Sequence, residues 1–105
     1  MYSQITPTDL NTRLKNGEVI QLLDVREPDE FAIASIGGKL IPLGEIVTRY
    51  QELDPELPTA VLCHHGVRSA RAAQFLLSVG FTNVMNISGG IDRWSREVDP
   101  SISTY

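Results

Sequence analysis

The chain has 105 residues, 42% of them hydrophobic, and a formal net charge of −4 at pH 7. A chain of this length forms one domain, residues 1–105, and its acidic balance disfavours nucleic acid as a partner. No apolar run approaches the roughly 20 residues of a membrane-spanning helix, and no secretory signal pattern opens the sequence, so no membrane partner is expected.

Helical and strand patterns alternate along the chain. The helix patterns are a segment capped by Thr6 and running through Leu14, a short one at Glu27–Phe31, Leu43–Tyr50, Arg68–Val79, and a last one carrying Trp94. The strand patterns are Val19–Val25, Lys39–Ile41, Ala60–Cys63 and Asn83–Ile87. Nearly continuous apolar strands without hairpin signals predict an α/β fold, with a mostly parallel central sheet flanked by helices on both faces.

Charge and cysteine content differ along the chain. Residues 1–59 carry five Lys/Arg against ten Asp/Glu, whereas residues 60–105 carry four against three. The second half is therefore locally positive, which suits an anionic substrate or a thiolate, although solvated arginines on exposed helix faces explain the count equally well. Cys63 is the one cysteine, so no internal disulfide can form. A reducing compartment, the cytoplasm, is expected.

The stretch LCHHGVRSA, residues 62–70, carries the candidate chemistry. Cys63 ends a strand, and the short connection through His64, His65, Gly66 and Val67 must curl around its thiol before the next helix begins. Backbone N–H groups of the curl and of the helix N-terminus then form an anion-binding nest centred on the sulfur, which favours the thiolate. The sequence thus indicates a nucleophile at Cys63.

Other interpretations of this stretch are weaker. A free cysteine often serves as a small buried hydrophobic residue, but the strand–loop–helix setting favours a reactive site. No metal site is predicted, because the one cysteine and both histidines are consecutive and nothing elsewhere completes a tetrahedron. A cysteine-protease dyad lacks its distant histidine.

The motifs together resemble the single-domain rhodaneses, which are sulfurtransferases. Leu22–Arg26 with Glu30 and Phe31 is similar to the first signature of that family, and Cys63–Ser69 to its active-site loop. Gly80–Val84 and Ser88–Gly90 with Trp94 are similar to the closing signature of the family. One departure, Ser35–Gly38 where the family often has His-Ile-Pro-Gly, lies away from the loop and puts an edge contact in doubt.

The resemblance implies a function and roles. Cys63 would take sulfur from a small donor, thiosulfate or a persulfide, and pass it to cyanide, a thiol or a protein; no cofactor is implied. The alternative is a relay to a ubiquitin-like sulfur carrier, because the tail from Gly90 to Tyr105 is similar to rhodanese domains fused to adenylyltransferases. The loop has one residue fewer between Cys63 and Arg68 than related phosphatase loops, so it should fit a single sulfur and exclude a phosphoryl group.

Several side chains keep two interpretations. His64 and His65 either face the pocket mouth and attract an anionic donor, or face solvent while their backbone alone matters. Arg68 either contacts the donor or pairs with a carboxylate such as Asp24 to hold the loop. The remaining residues receive structural roles: Ser69 as a first-turn helix residue, Trp94 as a core residue with one edge near the pocket, and Arg26 with Glu30 as an ion pair.

Overall fold

Five parallel strands form one sheet in the computed structural model, which describes all residues from Met1 to Tyr105. The strands are β1 (Ser3–Ile5), β2 (Gln21–Asp24), β3 (Lys39–Leu40), β4 (Thr59–Leu62) and β5 (Val84–Ile87), in the spatial order β1-β5-β4-β2-β3. The helices are α1 (Pro7–Lys15), α2 (Pro28–Ile33), α3 (Ile46–Arg49), α4 (Val67–Ser78) and α5 (Gly90–Glu97). The predicted α/β fold with a parallel sheet is confirmed.

Two details differ from the sequence prediction. The predicted helix at Leu43–Tyr50 is a four-residue helix, α3, flanked by 3₁₀ turns at Leu43–Glu45 and Tyr50–Glu52. Strand β1 was not predicted, and it adds to the sheet edge by pairing Ser3 to Ile5 with Met85 to Ile87. Three residues, of which only the last is buried, are too short to show a period of two.

The sheet is covered on both faces because residues of the central strand β4 alternate between two apolar clusters. Val61 and Cys63 belong to the cluster under α4, whereas Ala60 and Leu62 belong to the cluster under α1 and α5. All four side chains are at most 1% exposed. Two covered faces explain the nearly continuous apolar sequence of the strand. No helix in the structure combines the length and the apolarity needed to cross a bilayer.

A buried ion pair fixes the carboxyl end of β2. Arg26, which is 0% exposed, donates from Nε and Nη2 to the Asp24 carboxylate at 3.0 and 2.7 Å. Its remaining N–H groups reach the backbone carbonyls of Glu30 at 3.3 Å and Ala34 at 2.7 Å. The predicted ion pair between Arg26 and the Glu30 carboxylate is therefore wrong. Arg26 meets only the Glu30 backbone, because the end of β2 already provides a buried carboxylate.

Removal of one partner tests this pair. Asp24→Ala leaves the Arg26 charge buried without a counter-charge, and we expect a loss of about 3–5 kcal/mol in the free energy of unfolding. Glu18→Ala removes the exposed Arg13–Glu18 pair and should cost at most about 1 kcal/mol. Urea denaturation of both variants measures the difference. Equal small losses would contradict the assigned role of the buried pair.

Candidate functional site

The Cys63 sulfur lies at the carboxyl end of β4, buried with a residue exposure of 1%. Its Sγ accepts a hydrogen bond from the Gly66 backbone N–H at 3.0 Å and lies 3.3 Å from the Ser69 hydroxyl. The thiol therefore belongs to the core cluster, as a buried hydrophobic cysteine would, and at the same time has polar contacts from the loop. The carboxyl ends of parallel strands are where α/β sheets hold their ligands.

The backbone of the loop is oriented by the first turn of α5. The Ile91 N–H donates to the Cys63 carbonyl at 2.9 Å, and the Asp92 N–H to the His64 carbonyl at 3.2 Å. These carbonyls therefore point away from the sulfur. The backbone N–H groups of His65, Val67 and Arg68 have no acceptor within the protein, so the loop offers unpaired donors beside the Gly66 N–H, which already donates to Sγ.

Glycines allow this close approach of loop and helix. Gly66 has a φ of 108°, a left-handed conformation that L side chains rarely adopt. Gly90 has a φ of 61°, and a Cβ there would lie 2.4 Å from the carbonyl oxygens of both Cys63 and His64. The backbone of α5 can receive the loop carbonyls only because position 90 has no side chain.

Ser69 and Asn86 support the loop through side-chain hydrogen bonds, a role that was not predicted from the sequence. The buried Ser69 hydroxyl donates to the Asn86 side-chain oxygen, and the Asn86 amide donates to the Gly66 carbonyl at 3.1 Å. Ser69 lies in the first turn of α4, as predicted, but its hydroxyl also contacts the Cys63 sulfur. A signal for Asn86 was present in the sequence, because a polar residue inside a buried apolar strand requires a partner.

Arg68, at the end of the loop, binds the carboxylate of Glu30 in α2. Its two terminal nitrogens donate to the two Glu30 oxygens at 2.5 and 2.8 Å, so Arg68 does pair with a carboxylate, as one of its two interpretations predicted, but the partner is Glu30 and not Asp24. Asp24 is already occupied by Arg26. The hydrogen bond from Arg68 is the largest cause that lowers the pKa of Glu30 from 4.5 to about 2. The pair is therefore complete above about pH 4.5 and loses its stabilising effect as the pH falls toward 2.

The two histidines differ in their surroundings. His65 is largely exposed, with its Nε2 3.9 Å from the Asp92 carboxylate. The His64 ring lies between His65 and Tyr105, with a centroid distance of 3.9 Å to each, and its Nε2 is buried without a hydrogen-bond partner. The interpretation in which both histidines simply face solvent therefore fits His65 better than His64.

His64, His65 and Asp92 bring potential metal-ligand atoms within 4.8 Å of one another, although the sequence predicted no metal site. The planes of the two imidazoles are only 31° apart, so their in-plane lone pairs converge poorly on one ion. Asp92 also accepts from Arg96 at 3.2 Å. This cluster has the ligand types of a metal site but not the geometry that zinc prefers.

The positive charge of the second half is largely compensated. Arg68, Arg93 and Arg96 pair with Glu30, Glu97 and Asp92, respectively. Arg71, the fourth arginine of residues 60–105, forms no ion pair. The count of basic residues in the sequence therefore overstates the positive potential at the loop.

Substitution of Gly90 tests the loop geometry. Gly90→Ala places a methyl group against two loop carbonyls, and we expect the loop to shift and the reaction of Cys63 with iodoacetamide to change several-fold. Gly17→Ala is the matched control, because Gly17 also has a positive φ, 85°, but a Cβ there meets nothing within 4 Å. Alkylation rates and thermal unfolding of the two variants are compared. Identical behaviour would show that the approach of α5 does not set the loop.

Comparisons with known proteins agree with this architecture. The model of the Rhodanese-like domain family matches residues 6–97. A sulfurtransferase from Allochromatium vinosum is 32% identical over 98% of this chain and 97% of its own length. The probable adenylyltransferase/sulfurtransferase MoeZ of Mycobacterium tuberculosis is 37% identical over 98% of this chain and 27% of its own.

The crystal structure of a rhodanese-related protein from Thermoplasma volcanium covers 99% of this chain and 100% of its own, with 35% identity and a TM-score of 0.86. The chain spans less than two thirds of several curated relatives that it matches, among them MoeZ, of which it covers 27%, and the Bacillus subtilis protein YqhL, of which it covers 63%. A match to the family model over residues 6–97, together with this structural likeness, establishes that the chain belongs to the rhodanese-like domain family.

Proposed function

We propose that this protein transfers sulfane sulfur by way of a persulfide on Cys63. The observation that carries the proposal is the position of Sγ in a loop whose Cys63 and His64 carbonyls are bound by α5 and whose N–H groups at His65, Val67 and Arg68 have no acceptor. An anionic outer sulfur bound to Sγ would find these donors already in place, without reorganisation of the backbone. The sulfurtransferase name of the relative that matches along nearly its whole length supports the same chemistry.

The proposed transfer has two steps, formation of the Cys63 persulfide and its discharge to an acceptor. The Cys63 thiolate attacks the outer sulfur of the donor, a new S–S bond forms, and the donor leaves with the electron pair of the broken bond, as sulfite from thiosulfate or as a thiolate from a persulfide. An acceptor nucleophile then attacks the outer sulfur and regenerates the Cys63 thiolate. Cys63 is the nucleophile, and Gly66, Val67 and Arg68 with the two histidines form the substrate-binding loop.

Between the two donor classes, the charges favour a persulfide over thiosulfate. Thiosulfate is a dianion and gains most from unpaired positive charge at the site. Both terminal nitrogens of Arg68 are bound to Glu30, and Arg96 is bound to Asp92. A small persulfide such as cysteine persulfide carries less net charge than thiosulfate and depends less on these arginines.

A second candidate is a relay in which the acceptor is a ubiquitin-like sulfur carrier protein. It is supported by the similarity to MoeZ, which extends over 98% of this chain and whose name joins adenylyltransferase to sulfurtransferase. The chemistry at Cys63 is the same in both candidates; only the acceptor differs.

Sulfur loading tests the proposal. After incubation with cysteine persulfide, intact-mass spectrometry should show one added sulfur atom, which cyanide or a reductant removes, because Cys63 is the only thiol in the chain. Cys63→Ser serves as the control and should stay unmodified. A parallel incubation with thiosulfate should load more slowly. A wild-type protein that gains no sulfur from either donor would refute the proposed function.

A further inference from the structure

The Tyr105 side chain lies against the catalytic loop, although it is distant from the loop in sequence. Its ring stacks on the His64 imidazole with a centroid distance of 3.9 Å and planes 7° apart. Its hydroxyl donates to Glu30 Oε2 at 2.8 Å and accepts from Arg26 Nη1 at 3.0 Å. The ring is therefore held by its face and by its hydroxyl at the same time.

These contacts connect Tyr105 to both ends of the loop. His64 directly follows Cys63, and Arg68, at the other end, is bound through both terminal nitrogens to the same Glu30 carboxylate that receives the Tyr105 hydroxyl. Burial raises the pKa of the Tyr105 hydroxyl, so it remains a hydrogen-bond donor at neutral pH. The tail that carries Tyr105 is itself attached to the domain, because Ile102 packs against the cluster that contains Trp94.

The conformation of His64 requires such a support. Its Nε2 is buried and has no hydrogen-bond partner, an arrangement that is unfavourable because the same atom would be hydrated if the ring turned to solvent. Stacking on Tyr105 opposes that rotation, since an aromatic pair at this distance is attractive. Tyr105 therefore keeps His64 in a position that the loop alone would not maintain.

Access to the sulfur is narrow in this arrangement. Cys63 is 1% exposed, whereas Tyr105 is 38% exposed and stands at the surface. The two surface cavities lie elsewhere, one beside β1 and α1 and the other around Tyr50 and Phe81, and neither includes Cys63. The loop that begins at the buried Cys63 contains two residues connected to Tyr105, His64 by stacking and Arg68 through Glu30.

We propose that Tyr105 is a positioning residue for His64 that also determines which sulfur donors reach Cys63, by restricting the loop mouth to small ones. The inference rests on the proposed function, since it concerns the donor of that reaction. The ring provides the stacking surface and the hydroxyl locks it to Glu30 and Arg26. Loss of the ring frees His64 and widens the mouth, and loss of the hydroxyl alone loosens the ring.

Two persulfide donors that differ in size test the inference. They also differ by one carboxylate, but Tyr105→Ala and Tyr105→Phe remove no charge, so that difference cancels when each variant is compared with wild type. Rates of Cys63 persulfide formation are measured with cysteine persulfide and with the bulkier glutathione persulfide. Tyr105→Ala should raise the ratio of the glutathione rate to the cysteine rate about two- to tenfold. Loss of one aromatic pair raises the population of the unstacked His64 by a factor of this size, and only the bulkier donor requires that open form. Tyr105→Phe should fall between this variant and wild type. Thr104→Ala, at an exposed neighbouring position, should keep the wild-type ratio.

A spectroscopic measurement separates positioning from a general loss of stability. Stacking at 3.9 Å shifts the His64 ring protons through the ring current of Tyr105, and these resonances should move toward free-histidine values in Tyr105→Ala while they stay near wild type in Thr104→Ala. Unchanged donor ratios and unmoved His64 resonances in Tyr105→Ala and Tyr105→Phe would overturn the inference. Failure of the wild-type protein to load sulfur would instead overturn the proposed function.

Discussion

Two backbone hydrogen bonds, from Ile91 and Asp92 of α5 to the carbonyls of Cys63 and His64, orient the loop that follows Cys63. A short loop can direct either its carbonyls or its N–H groups at a central atom, and only the second arrangement stabilises an anionic sulfur. The first turn of α5 binds the Cys63 and His64 carbonyls, so the unpaired N–H groups of the loop remain available to an anion. The absence of a side chain at Gly90 makes this contact sterically possible, since a Cβ there would meet both oxygens at 2.4 Å.

A polar network forms a second support, at the Arg68 end of the loop. Arg26 is buried against Asp24 and fixes α2 through the carbonyls of Glu30 and Ala34, which places the Glu30 carboxylate where it binds Arg68. Buried ion pairs of this kind add little net stability, yet they determine position, because breaking one leaves a charge without a partner. The network thus connects the end of β2 to Arg68, at the far end of the loop that follows Cys63.

Local patterns were sufficient to predict the parallel α/β fold, the strand that ends at Cys63 and the helix that follows it. They were insufficient for contacts between distant segments. From the sequence, Glu30 could pair with any of several arginines. Only the folded chain shows that Arg26 pairs with Asp24 and that Glu30 pairs with Arg68. The support that Tyr105 gives to His64 has no local pattern at all, since it depends on the path of the tail. Asn86 was detectable, because it interrupts a buried apolar strand.

The central claim is that the loop N–H groups receive the outer sulfur of a Cys63 persulfide. Amide ¹H–¹⁵N spectra recorded before and after sulfur loading test it most directly, because new hydrogen bonds change the shifts of the donating amides. The account predicts that the largest changes occur at His65, Gly66, Val67 and Arg68 and that a reductant reverses them. Loop amides that remain unmoved in a fully persulfidated protein would contradict it.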